Sequence, residues 1–301
     1  MYLINGGFKM FAQVNGIKLF FDVEGAGFVP EGPIMREKPV CFVLHGGPGG
    51  DHTVFKPALS PLTEEMQLIY IDNRGSGRSE RGSQSTYTLK NNVEDIEELR
   101  KYLGLDEIVL LGQSYGGMVA LEYAKKYQEN VKSLLLVVTA PSSTFTDKAK
   151  EIVNQKGTPK QKEMAQVLWD GAFTSSEQQE QYYEIMAPLY SYSHKESVEE
   201  NLSRENASKR SNRSYEALNE GFGGFLRDYN VVDFLPSINV PTLIIAGRHD
   251  WITPVEGSIF MNEQIPNSQL VIFEESSHGV MKDEHEKFIA TVKDYVKNHI
   301  I

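Results

Sequence analysis

The feature that most constrains the fold of this chain is a repeated alternation of short apolar runs with longer amphipathic stretches. Nearly continuous apolar runs rich in β-branched residues are typical of strands buried on both faces of a sheet. The chain contains such runs at Val40–Leu44, Gln67–Ile71, Ile108–Leu111, Ser133–Val138, Thr242–Ala246 and Gln269–Phe273. Amphipathic helical patterns lie at Leu89–Leu103, Tyr115–Tyr127 and Glu284–His299. This alternation predicts an α/β protein with a mostly parallel sheet and helices on both faces.

An antiparallel hairpin is predicted ahead of this pattern. Phe11–Val14 and Lys18–Glu24 alternate polar and apolar residues around the dipeptide Asn15-Gly16, which is a strong signal for a two-residue hairpin turn. We interpret residues 1–10 as an N-terminal extension or a tag, because Met10 could itself be the natural start.

The alternation stops between about Ser142 and Phe234 and resumes at Val240. The intervening stretch is rich in Glu, Gln, Lys, Ser and Tyr and has helical patterning. A surface insertion without functional meaning is one alternative, but a stretch of this length is seldom structureless within a compact domain. We therefore predict an α/β core at residues 11–141 and 236–301 with a helical cap, residues 142–235, inserted into it.

Composition narrows the classes of function. A chain of 301 residues can bury a large core without cross-links, and its single cysteine, Cys41, excludes an internal disulfide framework. Its 30 basic and 41 acidic residues give a net charge of −11, which disfavours nucleic acids and anionic membranes as partners. Residues 1–10 lack the apolar core of a secretory signal. We expect a cytoplasmic protein, and nothing in the sequence specifies its oligomeric state.

The strongest motif is Gly112-Gln113-Ser114-Tyr115-Gly116, which directly follows a predicted strand and directly precedes a predicted helix. A serine in that context lies on a sharp strand-to-helix turn with its hydroxyl exposed above the sheet. The flanking glycines are expected where a side chain would clash with the tight turn. The helix N-terminus directs backbone amides and its positive dipole end at the same point. The motif predicts that Ser114 is a nucleophile.

A serine nucleophile needs a histidine base and an acid that orients the base. His278 and Asp250 each follow a predicted strand, and open parallel sheets place their sites in such loops. The chain order Ser114, Asp250, His278 is the one expected with a strand-to-helix serine. Asp233, at the end of the predicted cap, and Asp283, before a helix, are the alternative acids.

A glycine-rich run, His45-Gly46-Gly47-Pro48-Gly49-Gly50, follows another predicted strand. Glycines leave backbone N–H groups free to face a carbonyl oxygen, so we predict an oxyanion hole formed by the amides of Gly47 and Tyr115, with Gly46 as the alternative donor. The run lacks the spacing of phosphate-binding loops, and the seven histidines form no metal-binding motif. We predict neither a cofactor nor a metal ion.

These motifs resemble the α/β-hydrolase superfamily and, within it, the proline iminopeptidase group of serine hydrolases. The resemblance is carried by the His45–Gly50 run, Asp72-Asn73-Arg74-Gly75-Ser76-Gly77-Arg78-Ser79, the Ser114 motif with Gly117, Gly247-Arg248-His249-Asp250 and Ser277-His278-Gly279. It implies a mostly parallel eight-stranded sheet with an inserted helical cap, and hydrolysis through an acyl-enzyme on Ser114. From the residues alone, we expect Asp72 and Arg74 to hold loops beneath the site.

The resemblance also raises the question of substrate. Members with aminopeptidase activity hold the free amino group of the substrate with carboxylates from the cap and, in some, from the residue after the triad aspartate. In this chain that residue is Trp251, whereas Glu216, Glu220 or Glu205 could supply a carboxylate or could be ordinary solvated acids. An apolar Trp251 suits an uncharged acyl group, although its ring could also accept a cation.

The predicted substrate is therefore a small ester, a lactone or a short peptide. One alternative is a carboxylesterase or lactonase without aminopeptidase activity. An alternative from another class is a non-catalytic small-molecule receptor on the same fold.

Overall fold

The computed structural model describes residues 10–194 and 212–301 of the chain. Residues 1–9 of the predicted extension and the candidate Glu205 lie outside the described residues. The strands are β1 (Phe11–Val14), β2 (Ile17–Glu24), β3 (Phe28–Glu31), β4 (Ile34–Glu37), β5 (Val40–Leu44), β6 (Gln67–Ile71), β7 (Ile108–Gln113), β8 (Val131–Val137), β9 (Thr242–Gly247) and β10 (Ser268–Phe273).

Eight of these strands form one sheet in the order β1-β2-β6-β5-β7-β8-β9-β10. The pairs from β6 to β10 are parallel, whereas β1–β2 and β2–β6 are antiparallel. This arrangement confirms the predicted α/β fold with a mostly parallel sheet. The predicted turn is also present, since Val14 pairs with Ile17 while Asn15 and Gly16 adopt φ values of 42° and 78°.

The sequence pattern did not predict the separate hairpin of β3 and β4. Its side chains are mostly exposed, so it lacks the apolar alternation that marks a strand packed on a core. The hairpin lies between β2 and β5 in the chain and contributes nothing to the pocket described below.

Helices cover both faces of the large sheet. The α-helices in the described residues are Leu89–Tyr102, Tyr115–Tyr127, Phe145–Lys156, Pro159–Asp170, Ser176–Tyr190, Tyr215–Phe222, Val255–Gln264, Val280–Asp283 and His285–His299. Successive strand residues point to opposite faces, so Leu110 packs with the first two helices and Leu111 with the last one. On the second face, burial raises the pKa of the Cys41 thiol to about 12, which leaves this cysteine protonated.

Residues 142–235, called the helical segment below, lie between β8 and β9. In its described parts, 142–194 and 212–235, the regular elements are helices, together with one isolated bridge between Ser142 and Asn230. Their apolar side chains join those of the sheet and its first helices in one buried cluster. The segment therefore packs directly on the core, near the carboxyl ends of the parallel strands.

No helix within residues 10–194 or 212–301 is long and apolar enough to cross a membrane.

Candidate active site

Ser114 occupies the sharp turn between β7 and the helix Tyr115–Tyr127. Its backbone angles are φ 55° and ψ −120°, a conformation that a residue other than glycine rarely adopts. Two hydrogen bonds hold this strained turn in place: the Ser114 amide donates to the Val137 carbonyl at 2.8 Å and the Thr139 hydroxyl donates to the Ser114 carbonyl at 2.7 Å. The surrounding structure therefore holds Ser114 in a strained conformation at the N-terminus of a helix. Backbone strain of this kind is characteristic of functional sites.

The glycines around Ser114 are required by close backbone contacts. A Cβ atom on Gly112 would lie 2.3 Å from the Gly116 carbonyl oxygen, and one on Gly116 would lie 2.1 Å from the Leu44 carbonyl oxygen. A Cβ on Gly117 would lie 2.6 Å from the Thr139 side chain. These distances are far below van der Waals contact, so the motif follows from the packing of the turn against β5 and β8.

His278 and Asp250 are paired, as the sequence predicts. The imidazole Nδ1 of His278 lies 2.7 Å from Oδ2 of Asp250, and both side chains are buried. Oδ1 of Asp250 accepts hydrogen bonds from the amides of Ile252 at 2.9 Å and Thr253 at 3.0 Å. Because Nδ1 faces the carboxylate, Nε2 is the nitrogen available for proton transfer.

Thr253 is a member of this group that sequence reasoning missed. Its hydroxyl oxygen lies 2.8 Å from Oδ2 of Asp250, 2.9 Å from the Val138 carbonyl oxygen and 3.2 Å from Nδ1 of His278. It thus ties the carboxylate to the end of β8. The spacing Asp-x-x-Thr, in which a side chain caps its own turn, is the signal that could have indicated it.

Ser114 and His278 line one pocket, with a volume of about 190 Å³. Within the described residues no hydrogen bond joins the serine hydroxyl to the imidazole, and in free enzymes this contact commonly forms only when substrate binds. Gly46 and Gly47 line the same pocket. The structure therefore brings together the predicted nucleophile, base and glycine-rich loop.

The glycine-rich loop lies against Ser114. A Cβ on Gly46 would be 3.2 Å from the Ser114 Cβ and 3.7 Å from its hydroxyl oxygen. Gly47 has φ 126°, and a Cβ there would be 2.7 Å from the Gly49 nitrogen, so only glycine suits this position. The Tyr115 amide occupies the first helical position after Ser114, where N–H groups have no partner within the helix. The Tyr115 amide and the Gly46–Gly47 loop thus lie next to the serine.

The Tyr115 side chain takes no part in the pocket. Its phenol is buried and accepts a hydrogen bond from Nδ2 of Asn92 at 2.6 Å. Burial raises the pKa of Tyr115, so the phenol stays protonated. Any contribution of Tyr115 to catalysis is therefore through its backbone.

The turn after β6 supports the site from below. Asp72 accepts hydrogen bonds from the His52 amide and imidazole at 2.8 Å each and from the Arg78 amide at 2.8 Å. Arg74 forms a bidentate ion pair with Asp95, with Nε 2.7 Å from Oδ2. These buried contacts support the interpretation that Asp72 and Arg74 hold loops in place.

The structure does not place Glu216 and Glu220 in the pocket. Leu218 and Phe222 of the helix Tyr215–Phe222 line it. Positions two residues earlier lie about 200° away around a helix, which puts both glutamates on the opposite side. Glu216 instead accepts a hydrogen bond from the Ser214 hydroxyl at 3.1 Å. The prediction that these acids contact substrate is therefore not matched by the described geometry.

Trp251 is likewise buried rather than exposed to the pocket. Only 1% of its surface is exposed, and its ring packs edge-on against Trp169 at 6.1 Å and Tyr190 at 5.3 Å. Tyr190 in turn lies edge-on to the His278 imidazole at 5.6 Å. Trp251 thus packs the helical segment against the core instead of lining the substrate space, contrary to its prediction as a substrate contact.

The alternative acids are excluded from the triad by their positions. Asp233 is exposed, and Asp283 binds other groups. Asp283 accepts hydrogen bonds from the Ser191 hydroxyl, the Tyr192 amide, the Ser193 amide and hydroxyl, and the Ser277 amide. It thereby joins the end of the helix Ser176–Tyr190 to the loop that carries His278, a role the sequence did not indicate.

Nothing in the described geometry suggests a metal centre: in residues 10–194 and 212–301, no three or more His, Cys, Asp or Glu side chains are placed to hold an ion.

Comparisons with known proteins agree with this geometry. A sequence profile described as the alpha/beta hydrolase fold matches residues 39–284. A proline iminopeptidase of Saccharolobus solfataricus is 34% identical over 264 residues, which cover 84% of this chain and 83% of that protein. A proline iminopeptidase of Clostridioides difficile is 31% identical over 292 residues, covering 93% and 95% of the two chains.

Solved structures show the same architecture. An esterase from Exiguobacterium antarcticum superposes with a TM-score of 0.75 at 29% identity, covering 96% of this chain and 100% of that one. A proline iminopeptidase from Mycobacterium smegmatis has a TM-score of 0.73 at 21% identity and covers 96% and 97%. The chain therefore belongs to the α/β-hydrolase fold family and, within it, to the serine hydrolases of the proline iminopeptidase type.

Proposed function

We propose that this hydrolase cleaves a small ester or amide through an acyl-enzyme on Ser114, with His278 as the base and Asp250 as the acid that orients it. The main support for this proposal is the 2.7 Å contact between His278 Nδ1 and the buried Asp250 carboxylate. His278 and Ser114 line the same pocket. No cofactor is required for this chemistry.

In the first half-reaction, the Ser114 hydroxyl oxygen attacks the substrate carbonyl carbon while its proton passes to Nε2 of His278. The negative charge that develops on the carbonyl oxygen is stabilised by the amides of Gly47 and Tyr115. The C–O or C–N bond then breaks, and His278 returns the proton to the leaving alcohol or amine. The products of this step are the free leaving group and an acyl-Ser114 ester.

In the second half-reaction, His278 takes a proton from water, and the resulting hydroxide attacks the acyl-enzyme at the same oxyanion site. The intermediate collapses to release the carboxylic acid, and Ser114 regains its proton. Asp250 holds the imidazole in the tautomer with Nδ1 protonated and stabilises the imidazolium between the two transfers. The two hydrogen bonds from Ile252 and Thr253 keep the carboxylate in that orientation.

We further propose that the helical segment is a cap that sets the substrate. Its residues Phe145, Leu168, Tyr183, Leu218 and Phe222 line the pocket opposite Ser114. These apolar side chains suit the hydrocarbon part of a small acyl group. We keep cytoplasmic location as a prediction.

The names of the relatives suggest release of an N-terminal proline as the physiological reaction. Hydrolysis of proline β-naphthylamide with loss of activity on its N-acetylated form would support it. Ester hydrolysis is the second candidate, favoured by the positions of Glu216 and Glu220 outside the pocket and by the 29% identical esterase. Equal rates on free and acetylated substrates, with faster turnover of esters, would support the second candidate.

The experiment that tests the shared chemistry compares Ser114→Ala with the unmodified enzyme on 4-nitrophenyl acetate. We expect a loss of at least about 10³-fold in turnover, because the nucleophile is removed. The exposed Ser85→Ala is the control and should retain full activity. Turnover by Ser114→Ala close to that of the unmodified enzyme would contradict the proposal.

A further inference from the structure

The wall of the pocket carries a cation that the mechanism does not use. Arg213 lines the pocket together with Ser114 and His278 and is half-buried. A substrate whose carbonyl group reaches Ser114 must enter the pocket that Arg213 also lines. The charge of a guanidinium in this wall therefore influences which substrates bind.

The backbone around Arg213 is fixed to the core on both sides. The Asn212 amide donates to Oδ2 of Asp51 at 2.6 Å, and the Asn212 carbonyl accepts from the Gly77 amide at 2.9 Å. The Ser214 amide donates to the Gly49 carbonyl at 2.8 Å. Two core loops thus hold residues 212–214, so hydrogen bonds of the neighbouring main chain set the position of Arg213 relative to Ser114.

The Arg213 guanidinium is held by a ring rather than by an acid. Its central carbon lies 4.6 Å from the centre of the Tyr183 ring, an arrangement that leaves the N–H groups of a guanidinium free to form hydrogen bonds at its edge. Among the residues that the structure describes, no ion pair joins this guanidinium to a carboxylate. Because burial of a cation costs free energy unless a negative charge lies close by, a carboxylate of a bound ligand suits this guanidinium.

Asp51, an acid that lines the same pocket, accepts hydrogen bonds from backbone groups. Asp51 accepts the Thr53 amide at 2.8 Å and the Thr53 hydroxyl at 2.5 Å on Oδ1, and the Asn212 amide on Oδ2. These bonds begin the short helix at His52 and fasten residue 212. Asp51 thereby fixes the backbone next to Arg213.

We propose that Arg213 is a specificity residue that binds a free carboxylate of the substrate, so that the enzyme prefers small acyl compounds or short peptides bearing a carboxylate outside the scissile bond. A planar guanidinium forms paired, charge-assisted hydrogen bonds with a carboxylate. The carboxylate could belong to the acyl half or to the leaving half of the substrate. This inference rests on the proposed hydrolysis at Ser114 and adds the substrate class to it.

The experiment has one arm for each half of the substrate. On the acyl side, the 4-nitrophenyl monoester of glutaric acid is compared with 4-nitrophenyl pentanoate, which lacks the carboxylate. On the leaving side, prolylglycine is compared with prolylglycinamide. We expect the unmodified enzyme to favour the carboxylate-bearing member in at least one arm by about tenfold or more in kcat/KM, the scale of one charge-assisted hydrogen bond.

Variants then assign that preference to one side chain. Arg213→Gln should remove the preference by lowering kcat/KM for the carboxylate-bearing member far more than for its partner, and Arg213→Lys should retain part of it. The matched control is Arg78→Gln, since Arg78 also stacks on a ring, that of Phe20 at 5.1 Å, but does not line the pocket. Arg78→Gln should keep the full preference.

Two results would overturn the inference: no preference for the carboxylate in either arm, or an equal loss on both members of a pair in Arg213→Gln. Both are distinct from failure of the proposed function, which appears as Ser114→Ala retaining turnover of the same esters. An enzyme that depends on Ser114 but ignores the carboxylate would leave the hydrolase assignment intact and remove only the role of Arg213.

Discussion

The two walls of the pocket are built in different ways. The core wall combines the His278 side chain with two tight stretches of backbone, the strained Ser114 turn and the Gly46–Gly47 loop, packed so closely that a Cβ on Gly116 would lie 2.1 Å from a carbonyl oxygen. The opposite wall, from the helical segment, is made of side chains from separate helices, such as Phe145, Leu168 and Phe222. The first wall carries the groups for bond cleavage, and the second shapes the space for substrate.

The two walls differ in how many substitutions they tolerate. A backbone turn tolerates few residue types, so the chemistry of the core wall is tied to a recognisable motif. The helical wall can exchange one side chain for another without altering the turn that holds Ser114. Substitutions in the core wall should therefore affect every substrate alike, whereas those in the helical wall should separate one substrate from another.

The largest effect is expected for Asp250→Asn, which lies behind the His278 side chain of the core wall. An amide in place of the carboxylate no longer stabilises the imidazolium or enforces the Nδ1-protonated tautomer, and the same exchange in a protease triad lowers turnover about 10⁴-fold. We expect a loss of about 10³- to 10⁴-fold in kcat on 4-nitrophenyl acetate, measured at saturating substrate. The exposed Asp233→Asn is the control and should be fully active. If Asp250→Asn kept a tenth of the normal kcat, the core wall would not be the part of the pocket that controls bond cleavage.

An intermediate effect is expected for Asp283→Asn, at the junction of the two walls. Burial acts to raise the pKa of Asp283, but hydrogen bonds from Ser191, Ser277 and Tyr192 outweigh it and hold that pKa below its ordinary value. A depressed pKa contributes stability that is present above the unfolded-state pKa of about 3.9 and is lost as the pH falls through the folded-state value. The variant keeps only one acceptor oxygen for five donors.

For Asp283→Asn we expect the free energy of unfolding to fall by about 1–2 kcal/mol at pH 7, with the difference from the unmodified protein shrinking below about pH 4. Urea unfolding at several pH values measures this. Asp294→Asn, exposed on the last helix, should show no such difference. A stability loss independent of pH would mean that the Asp283 charge does not fasten the helical segment to the His278 loop.

The smallest effect is expected for Glu216→Gln and Glu220→Gln, on the outer side of the helical wall. Because both face away from the pocket, KM for proline β-naphthylamide should change by less than about twofold, as for surface substitutions in general. Leu218→Ala, on the pocket side of the same helix, should change KM more. A tenfold rise in KM in either glutamine variant would show that the acid reaches the substrate amine and would restore its predicted role.

The features that the sequence predicted and those that it missed follow the same division between the core and the helical segment. The strands, the Ser114 turn and the Asp250–His278 pair were predictable because buried parallel strands and tight turns impose local patterns on the chain. The β3–β4 hairpin was missed because its exposed strands carry no apolar period. Glu216 and Glu220 were chosen by residue type alone, although the apolar Leu218 and Phe222 of that helix already indicated which side faces inward.

The contacts that cross between distant parts of the chain had no local signal. Asp283 lies about 90 residues from Ser191 and Ser193, whose hydroxyls it binds. The packing of Trp251 against Trp169 and Tyr190 depends on how the helical segment folds back, so it could not be predicted from the sequence around Trp251. Sequence reasoning missed Arg213 because no local pattern marks it either. Such residues become recognisable only when the tertiary structure places them.

Active-site labelling shows directly whether Ser114 forms the covalent intermediate. The enzyme is treated with a fluorophosphonate, digested, and examined by mass spectrometry alongside Ser114→Ala. We expect one adduct per chain, on the peptide that contains Ser114, with labelling abolished in the variant. An adduct on another residue, or no adduct on an enzyme that is turning over ester, would contradict it.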